Sequence, residues 1–75
     1  MQRRRAVMQL RQVLAVIRQE LNHDRATPLL AERASEIVEQ TALAIEPEPD
    51  DALLELIGYI RGEITEIREG RSGNR

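Results

Sequence analysis

Residues 53–67 read LLELIGYIRGEITEI. The aliphatic side chains that recur there at alternating steps of four and three residues are Leu53, Ile57, Ile60, Ile64 and Ile67. An α-helix completes a turn in about 3.6 residues, so this spacing places all of these side chains on one face. A strand would instead bring every second residue to the same face. We therefore predict an amphipathic helix over about residues 51–69.

Two further segments toward the N-terminus show related spacing. The aliphatic residues of the first segment are Val7, Leu10, Leu14, Ile17 and Leu21. They follow steps of three and four and predict a helix over about residues 2–22, with Val13 and Val16 broadening its apolar face. The second segment, about residues 28–45, has a thinner seam that consists of Leu30, Ala34, Ile37, Thr41 and Ala44. Its small side chains favour a close approach of helices over a large core.

Prolines and capping residues separate the three predicted helices. Thr27 followed by Pro28 is typical of a helix start, since the threonine caps the helix and proline tolerates the first helical position. Glu46-Pro47-Glu48-Pro49 ends the second helix, because proline disfavours helical backbone in the residue before it. Asp50 and Asp51 are suited to the next helix start. Gly70 is expected to cap the third helix, which makes residues 1–70 one domain and residues 71–75 a disordered tail.

Short connections between helices make neighbouring helices antiparallel. The predicted fold is therefore all-α, a small antiparallel three-helix bundle made of a helical hairpin plus a third helix. The 75-residue chain has no Cys, Trp or Phe. Chains of this size often need disulfides, metals or self-association for stability. Homodimerisation would complete so thin a core, and we expect a homo-oligomer.

Charge is distributed unevenly along the chain. The formal net charge is −2, with a net +4 over residues 1–25, −7 over residues 26–60 and +1 over residues 61–75. Such a dipolar chain does not imply general affinity for nucleic acid. No apolar run reaches the ~18 residues that a membrane span needs. The absence of cysteine fits a reducing compartment, so we expect a cytoplasmic protein without a membrane partner.

This sequence contains few residues that are suited to catalysis or metal binding. His23 is the single histidine and has no apparent nucleophile near it. No glycine-rich phosphate loop is present. Glu20-x-x-His23 has the Glu-x-x-His spacing of di-iron helix bundles, but both positions lie off the apolar seam at a helix end. We expect no enzyme activity, no cofactor and no metal.

Protein binding is the function that the pattern favours. Gly58 and Gly62 lie on the outer face of the third helix, and each glycine costs a soluble helix roughly 1 kcal/mol relative to alanine. Close approach of another backbone would compensate that cost. The candidate partner-binding residues are Leu54, Leu56, Gly58, Tyr59 and Gly62. We expect a non-catalytic helical module, a bacterial-type regulator, inhibitor or adaptor that presents amphipathic helix faces to a larger protein.

Arginines form a second pattern, since Arg4, Arg11, Arg18 and Arg25 recur every seven residues beside the first seam. One interpretation is that they cover the edge of the core and pair with acids on a neighbouring helix. The alternative is a nucleic-acid-associated regulator that uses the N-terminal helix to bind phosphates. The basic stripe in that alternative consists of Arg3, Arg4, Arg5, Arg11 and Arg18.

Residues 65–70 read Thr-Glu-Ile-Arg-Glu-Gly. This segment resembles the inhibitory motif Ser/Thr-x-x-x-Glu-Gly/Asn of antitoxins that block Fic-type AMP-transferases. The resemblance covers only these positions and implies an inhibitor whose Glu69 pairs with an ATP-binding arginine of the toxin. Thr65 and Gly70 would occupy the other motif positions. An antitoxin-like role is the remote alternative for this chain.

Overall fold

The computed structural model describes residues 3–69 and contains three helices: α1 (Arg3–Asn22), α2 (Pro28–Ala44) and α3 (Asp51–Glu69). The described residues include no strand. The predicted all-α fold class with three packed helices is therefore confirmed. Residue 2, the predicted Gly70 cap and the predicted tail 71–75 lie outside the described residues.

The connection between α1 and α2 reverses the chain within five residues. Asp24 has a φ of 59°, and its N–H donates to the Leu21 carbonyl oxygen at 3.0 Å. Aspartate is one of the few residues other than glycine that occupy this left-handed region at low cost. Thr27 then caps α2, since its Oγ1 accepts a hydrogen bond from the Leu30 N–H at 3.2 Å. Pro28 occupies the first turn of α2, as predicted.

The connection between α2 and α3 is closed by backbone hydrogen bonds and an aspartate cap. Helix α2 ends at Ala44, one residue earlier than predicted, and the Glu46 N–H donates to the Leu43 carbonyl oxygen at 3.2 Å, three residues back instead of four. Asp50 Oδ1 accepts hydrogen bonds from the Ala52 N–H at 3.0 Å and from the Leu53 N–H at 3.2 Å. The predicted aspartate cap of α3 is therefore confirmed at Asp50.

The helices run up, down and up. Arg3, at the start of α1, pairs with Asp50 just before α3, and Arg18 in the last part of α1 contacts Tyr59. Helices α1 and α3 thus run in the same direction, and α2 lies antiparallel to both. The described molecule measures 40 × 19 × 18 Å.

Helix α3 supplies its whole predicted seam to the core. The buried residues of α3 are Leu53, Ile57, Ile60, Ile64 and Ile67. Smaller side chains face them from α2, where the buried residues are Ala31, Ala34, Val38 and Thr41. Thr41 satisfies its hydroxyl within the helix by donating to the Ile37 carbonyl oxygen at 2.9 Å. Close helix packing, and not side-chain bulk, therefore builds the α2–α3 contact.

The buried positions of α1 and α2 differ from the predicted seams. In α1 the buried residues are Ala6, Leu10 and Ile17, while Val7 and Leu14 are only half-buried. In α2 the side chains of Leu30 and Ile37 are half-buried, and Ala44 is exposed. Each helix of a three-helix bundle faces two neighbours, so its buried face is rotated from the predicted seam and includes small residues such as Ala6 and Ala31.

We predict that Ile60→Asp abolishes cooperative folding. Ile60 is completely buried, and an unpaired carboxylate there would be desolvated without compensation. A single core of this size supplies only about 3–5 kcal/mol. The measurement is thermal unfolding followed by far-UV circular dichroism. Glu66→Asp, at an exposed position of the same helix, is the control and should keep its melting transition. A native-like transition for Ile60→Asp would contradict this core.

Candidate functional site

The structure separates the candidate partner-binding residues of α3. Leu54, Gly58, Tyr59 and Gly62 are exposed, whereas Leu56 is half-buried and packs against the core. At about 100° per residue, Leu54 and Leu56 lie on opposite flanks of the helix. Leu54 lies on the α2 side, and Leu56 lines the groove between α1 and α3. Gly58 and Gly62 lie on the outer surface of α3 next to Leu54, whereas Tyr59 lies with Leu56 on the flank that faces α1.

The two glycines of α3 face open space. A Cβ atom placed on Gly58 or Gly62 would meet no heavy atom of the described chain within 4 Å. Packing within residues 3–69 therefore gives no reason for glycine at either position. The helical cost of these glycines is not compensated by any close approach inside the bundle.

We predict that Gly58→Ala and Gly62→Ala each raise the free energy of unfolding by roughly 0.5–1 kcal/mol. Alanine restricts the unfolded chain and shields the helix backbone, and its added methyl group meets no obstacle. Chemical denaturation of dilute protein measures the change. A loss of stability in either variant would show that the position is constrained by a contact.

Tyr59 and Arg18 form a surface contact between the later part of α1 and α3. The Arg18 guanidinium carbon lies 5.4 Å from the centre of the Tyr59 ring, and Arg18 Nη2 donates a hydrogen bond to the tyrosine hydroxyl. A cation over an aromatic face contributes about 0.5–1 kcal/mol at an exposed site. Arg18 therefore packs on an aromatic ring, where a carboxylate partner from a neighbouring helix was expected.

Arg3 has a structural partner as well. Its Nε donates to the carboxylate of Asp50, the residue that caps α3. This hydrogen bond is the main reason why the pKa of Asp50 is lowered, and the backbone N–H of Leu53 lowers it further. The pair ties the start of α1 to the start of α3.

We predict that acid weakens the wild-type protein more steeply than Asp50→Asn. The folded-state pKa of Asp50 lies below its unfolded value of about 3.8. The stabilisation from its charge is therefore complete above pH 3.8 and is lost as the pH falls through the folded-state pKa. Asparagine keeps the cap but has no charge to lose. Melting temperatures between about pH 6 and pH 3 measure the difference, and parallel curves would contradict the role of the Arg3–Asp50 pair.

The remaining arginines of the predicted basic stripe do not form one continuous surface. Arg4 and Arg11 lie on the side of α1 that faces α3, whereas Arg5 points toward the α2 side by the helical repeat. All three are exposed and have no hydrogen-bond or ion-pair partner among residues 3–69. Within the stripe, Arg3 and Arg18 therefore contact other side chains of the bundle, whereas Arg4, Arg5 and Arg11 are solvated.

Glu20, the first residue of the Glu20-x-x-His23 spacing, forms an ion pair with Arg25. Glu20 Oε1 accepts a hydrogen bond from Arg25 Nε at 2.9 Å, and this bond is the main reason why the pKa of Glu20 is lowered. The described part of the chain contains no cluster of three or more His, Cys, Asp or Glu side chains able to bind a metal ion. The carboxylate and Arg25 close the end of α1 together.

The segment that resembles the Fic antitoxin motif lies at the end of α3. Thr65 and Glu69 are exposed and four residues apart, so they share one side of the helix. The Thr65 hydroxyl donates to the Arg61 carbonyl oxygen at 3.0 Å. Gly70, the last residue of the motif, lies outside the described residues.

An apolar groove that was not predicted from the sequence runs between α1 and α2. Val13 and Val16 form one wall, and Leu30 and Ile37 form the other, with Ala34 on the floor. The polar residues at its rim are Gln9, Gln12 and Arg33. The groove has a volume of about 270 Å³, and 44% of the Val16 surface is exposed. The sequence did contain these residues, since Val13 and Val16 flank the first predicted seam and Leu30 and Ile37 belong to the second.

Comparison of the chain with protein-family models, with curated proteins and with solved structures found no match in any of the three. Among the residues that the structure describes, no helix combines the length and the apolar character that crossing a lipid bilayer requires.

Proposed function

We propose that this protein is a non-catalytic helical module that binds a larger protein, acting as a small cytoplasmic regulator, inhibitor or adaptor. The observation that carries the proposal is the open apolar groove between α1 and α2. In this proposal the groove accepts one amphipathic helix of the partner. That mode of recognition places the apolar face of a helix into a hydrophobic groove and leaves its polar face in water.

The shape of the groove suits a helix. Its two walls are antiparallel helices, and a helix laid between them would occupy the place of a fourth helix in a bundle. Val16 and Leu30 would then be buried together with Val13 and Ile37, all of which keep part of their surface in contact with solvent. Burial of this remaining apolar surface would drive association, at about 25 cal/mol per Å² removed from water.

The rim of the groove indicates the charge of the partner helix. None of the residues that line the groove is a carboxylate, and Arg33 has no hydrogen-bond or ion-pair partner within the described chain. An arginine fork pairs well with a carboxylate. The occupant is therefore a helix with an apolar seam and at least one acidic residue beside it.

This groove is a better docking site than the outer surface of α3. The α3 surface is convex, and its exposed large side chains, Leu54 and Tyr59, lie on different flanks of the helix. The groove instead gathers aliphatic side chains from two helices around one concavity. No contact among residues 3–69 tests whether the outer surface of α3 binds a partner, so that role stays a prediction.

We predict that Val16→Glu weakens partner binding at least tenfold without unfolding the protein. Val16 is partly exposed, so the carboxylate stays solvated in the free protein but is desolvated when a helix covers the groove. The wild-type chain and the variant are used to retain binding proteins from an extract of the native host. A helical segment of the retained protein is then titrated with the purified variants by fluorescence anisotropy.

The matched control is Gln19→Glu, which adds the same charge to the same helix outside the groove lining and should bind normally. Arg33→Glu should weaken binding several-fold, and replacing the acidic residue of the partner helix by arginine should restore it. Equal binding by wild type and folded Val16→Glu would overturn the proposed function.

Nucleic-acid binding is the second candidate, and the solvated guanidinium groups of Arg4, Arg5 and Arg11 favour it. Phosphate contacts would make such binding strongly dependent on salt. A gel-retardation assay with duplex DNA and with RNA at low and moderate salt tests this role. No shift at low salt would eliminate it.

A further inference from the structure

We propose that two copies of this chain associate through the side of the molecule where α1 and α3 lie next to each other, which we call the α1–α3 face. The twofold axis runs parallel to the helices, so that α1 of each copy packs against α3 of the other. This contact is separate from the groove between α1 and α2.

The α1–α3 face carries opposite charges on its two edges. Arg11 on α1 and Glu55 on α3 line the same shallow groove, which also contains Tyr59. Arg4 precedes Arg11 by seven residues and Glu66 follows Tyr59 by seven, so each lies on the same side of its helix as that residue. The α1 edge is therefore positive over the first half of the helix, and the α3 edge is negative.

These charges are not neutralised within the described chain. Arg4, Arg11, Glu55 and Glu66 are exposed, and none of them has a hydrogen-bond or ion-pair partner among residues 3–69. Between the two edges lie the half-buried side chains of Val7 and Leu56. Tyr59, with 45% of its surface exposed, lies beside them. The face thus combines a central apolar strip with unpaired charges of both signs.

The charges on the two edges determine which twofold symmetry the dimer can have. A twofold axis parallel to the helices brings the arginine edge of each copy against the glutamate edge of the other, and the same contact then occurs twice. A twofold axis across the helices would place arginine against arginine. Complementary charge of this kind determines orientation and partner choice more than affinity, while the apolar strip supplies the buried area.

Charge-reversed chains test this arrangement. The acidic variant carries Arg4→Glu and Arg11→Glu, and the basic variant carries Glu55→Arg and Glu66→Arg. In a pair of identical variant chains, both edges of the face have the same sign and repel. In an equimolar mixture, each acidic α1 meets a basic α3, and each acidic α3 meets a basic α1.

The readout is the molecular mass of wild type, variants and mixture at micromolar concentration, measured by analytical ultracentrifugation, with circular dichroism to check folding. We expect a wild-type dimer, at least tenfold weaker association of each variant alone, and a one-to-one heterodimer in the mixture. Restoration by mixing cannot arise from changes inside one chain. If Glu55→Arg/Glu66→Arg does not fold, Glu66→Arg alone replaces it.

The matched control is Arg5→Glu/Arg33→Glu, which has the same net charge as the acidic variant but alters residues away from the α1–α3 face. It should dimerise like the wild type and should pair with the basic variant more weakly than the acidic variant does. A monomeric wild-type chain, or undiminished association of the acidic variant, would overturn the proposal. Loss of the dimer in Val16→Glu alone would assign self-association to the α1–α2 groove instead.

Discussion

The five aliphatic side chains on one face of α3 are buried between α1 and α2 and supply the larger share of the bulky residues in the core. The opposing surface of α2 is built largely from small side chains such as Ala31 and Ala34, that of α1 adds Leu10 and Ile17, and no described core residue is aromatic. Because α3 touches both other helices, its position also determines which sides of α1 and α2 are left for other contacts.

Most of the fold could be predicted from the sequence, because the elements that begin and end the helices act locally. Thr27, Pro28 and Asp50 have the predicted roles, and the helix bounds agree within about one residue among residues 3–69. The rotation of α1 and α2 could not be predicted from one seam. Each of these helices faces two neighbours, so Ala6 is buried where Val7 was expected.

Fewer features of the candidate sites could be predicted from the sequence, because the partner of each side chain depends on how the helices pack. The heptad spacing of the arginines was visible, but the ring of Tyr59 as the partner of Arg18 follows only from the alignment of α1 with α3. The α1–α2 groove is likewise a property of two helices together, since neither wall is unusual alone. The groove and the α1–α3 face use different sides of α1, so a dimer formed as proposed would leave both grooves open for partner helices.

Tyr59 is the only aromatic residue of the chain, and it lies at the surface against Arg18 instead of in the interior. The core of this protein is consequently silent in near-ultraviolet absorption and emission. Intrinsic fluorescence therefore reports the docking of α1 on α3, and it does so separately from the helical content that far-ultraviolet spectra record. The chain thus contains its own optical probe for motion between those two helices.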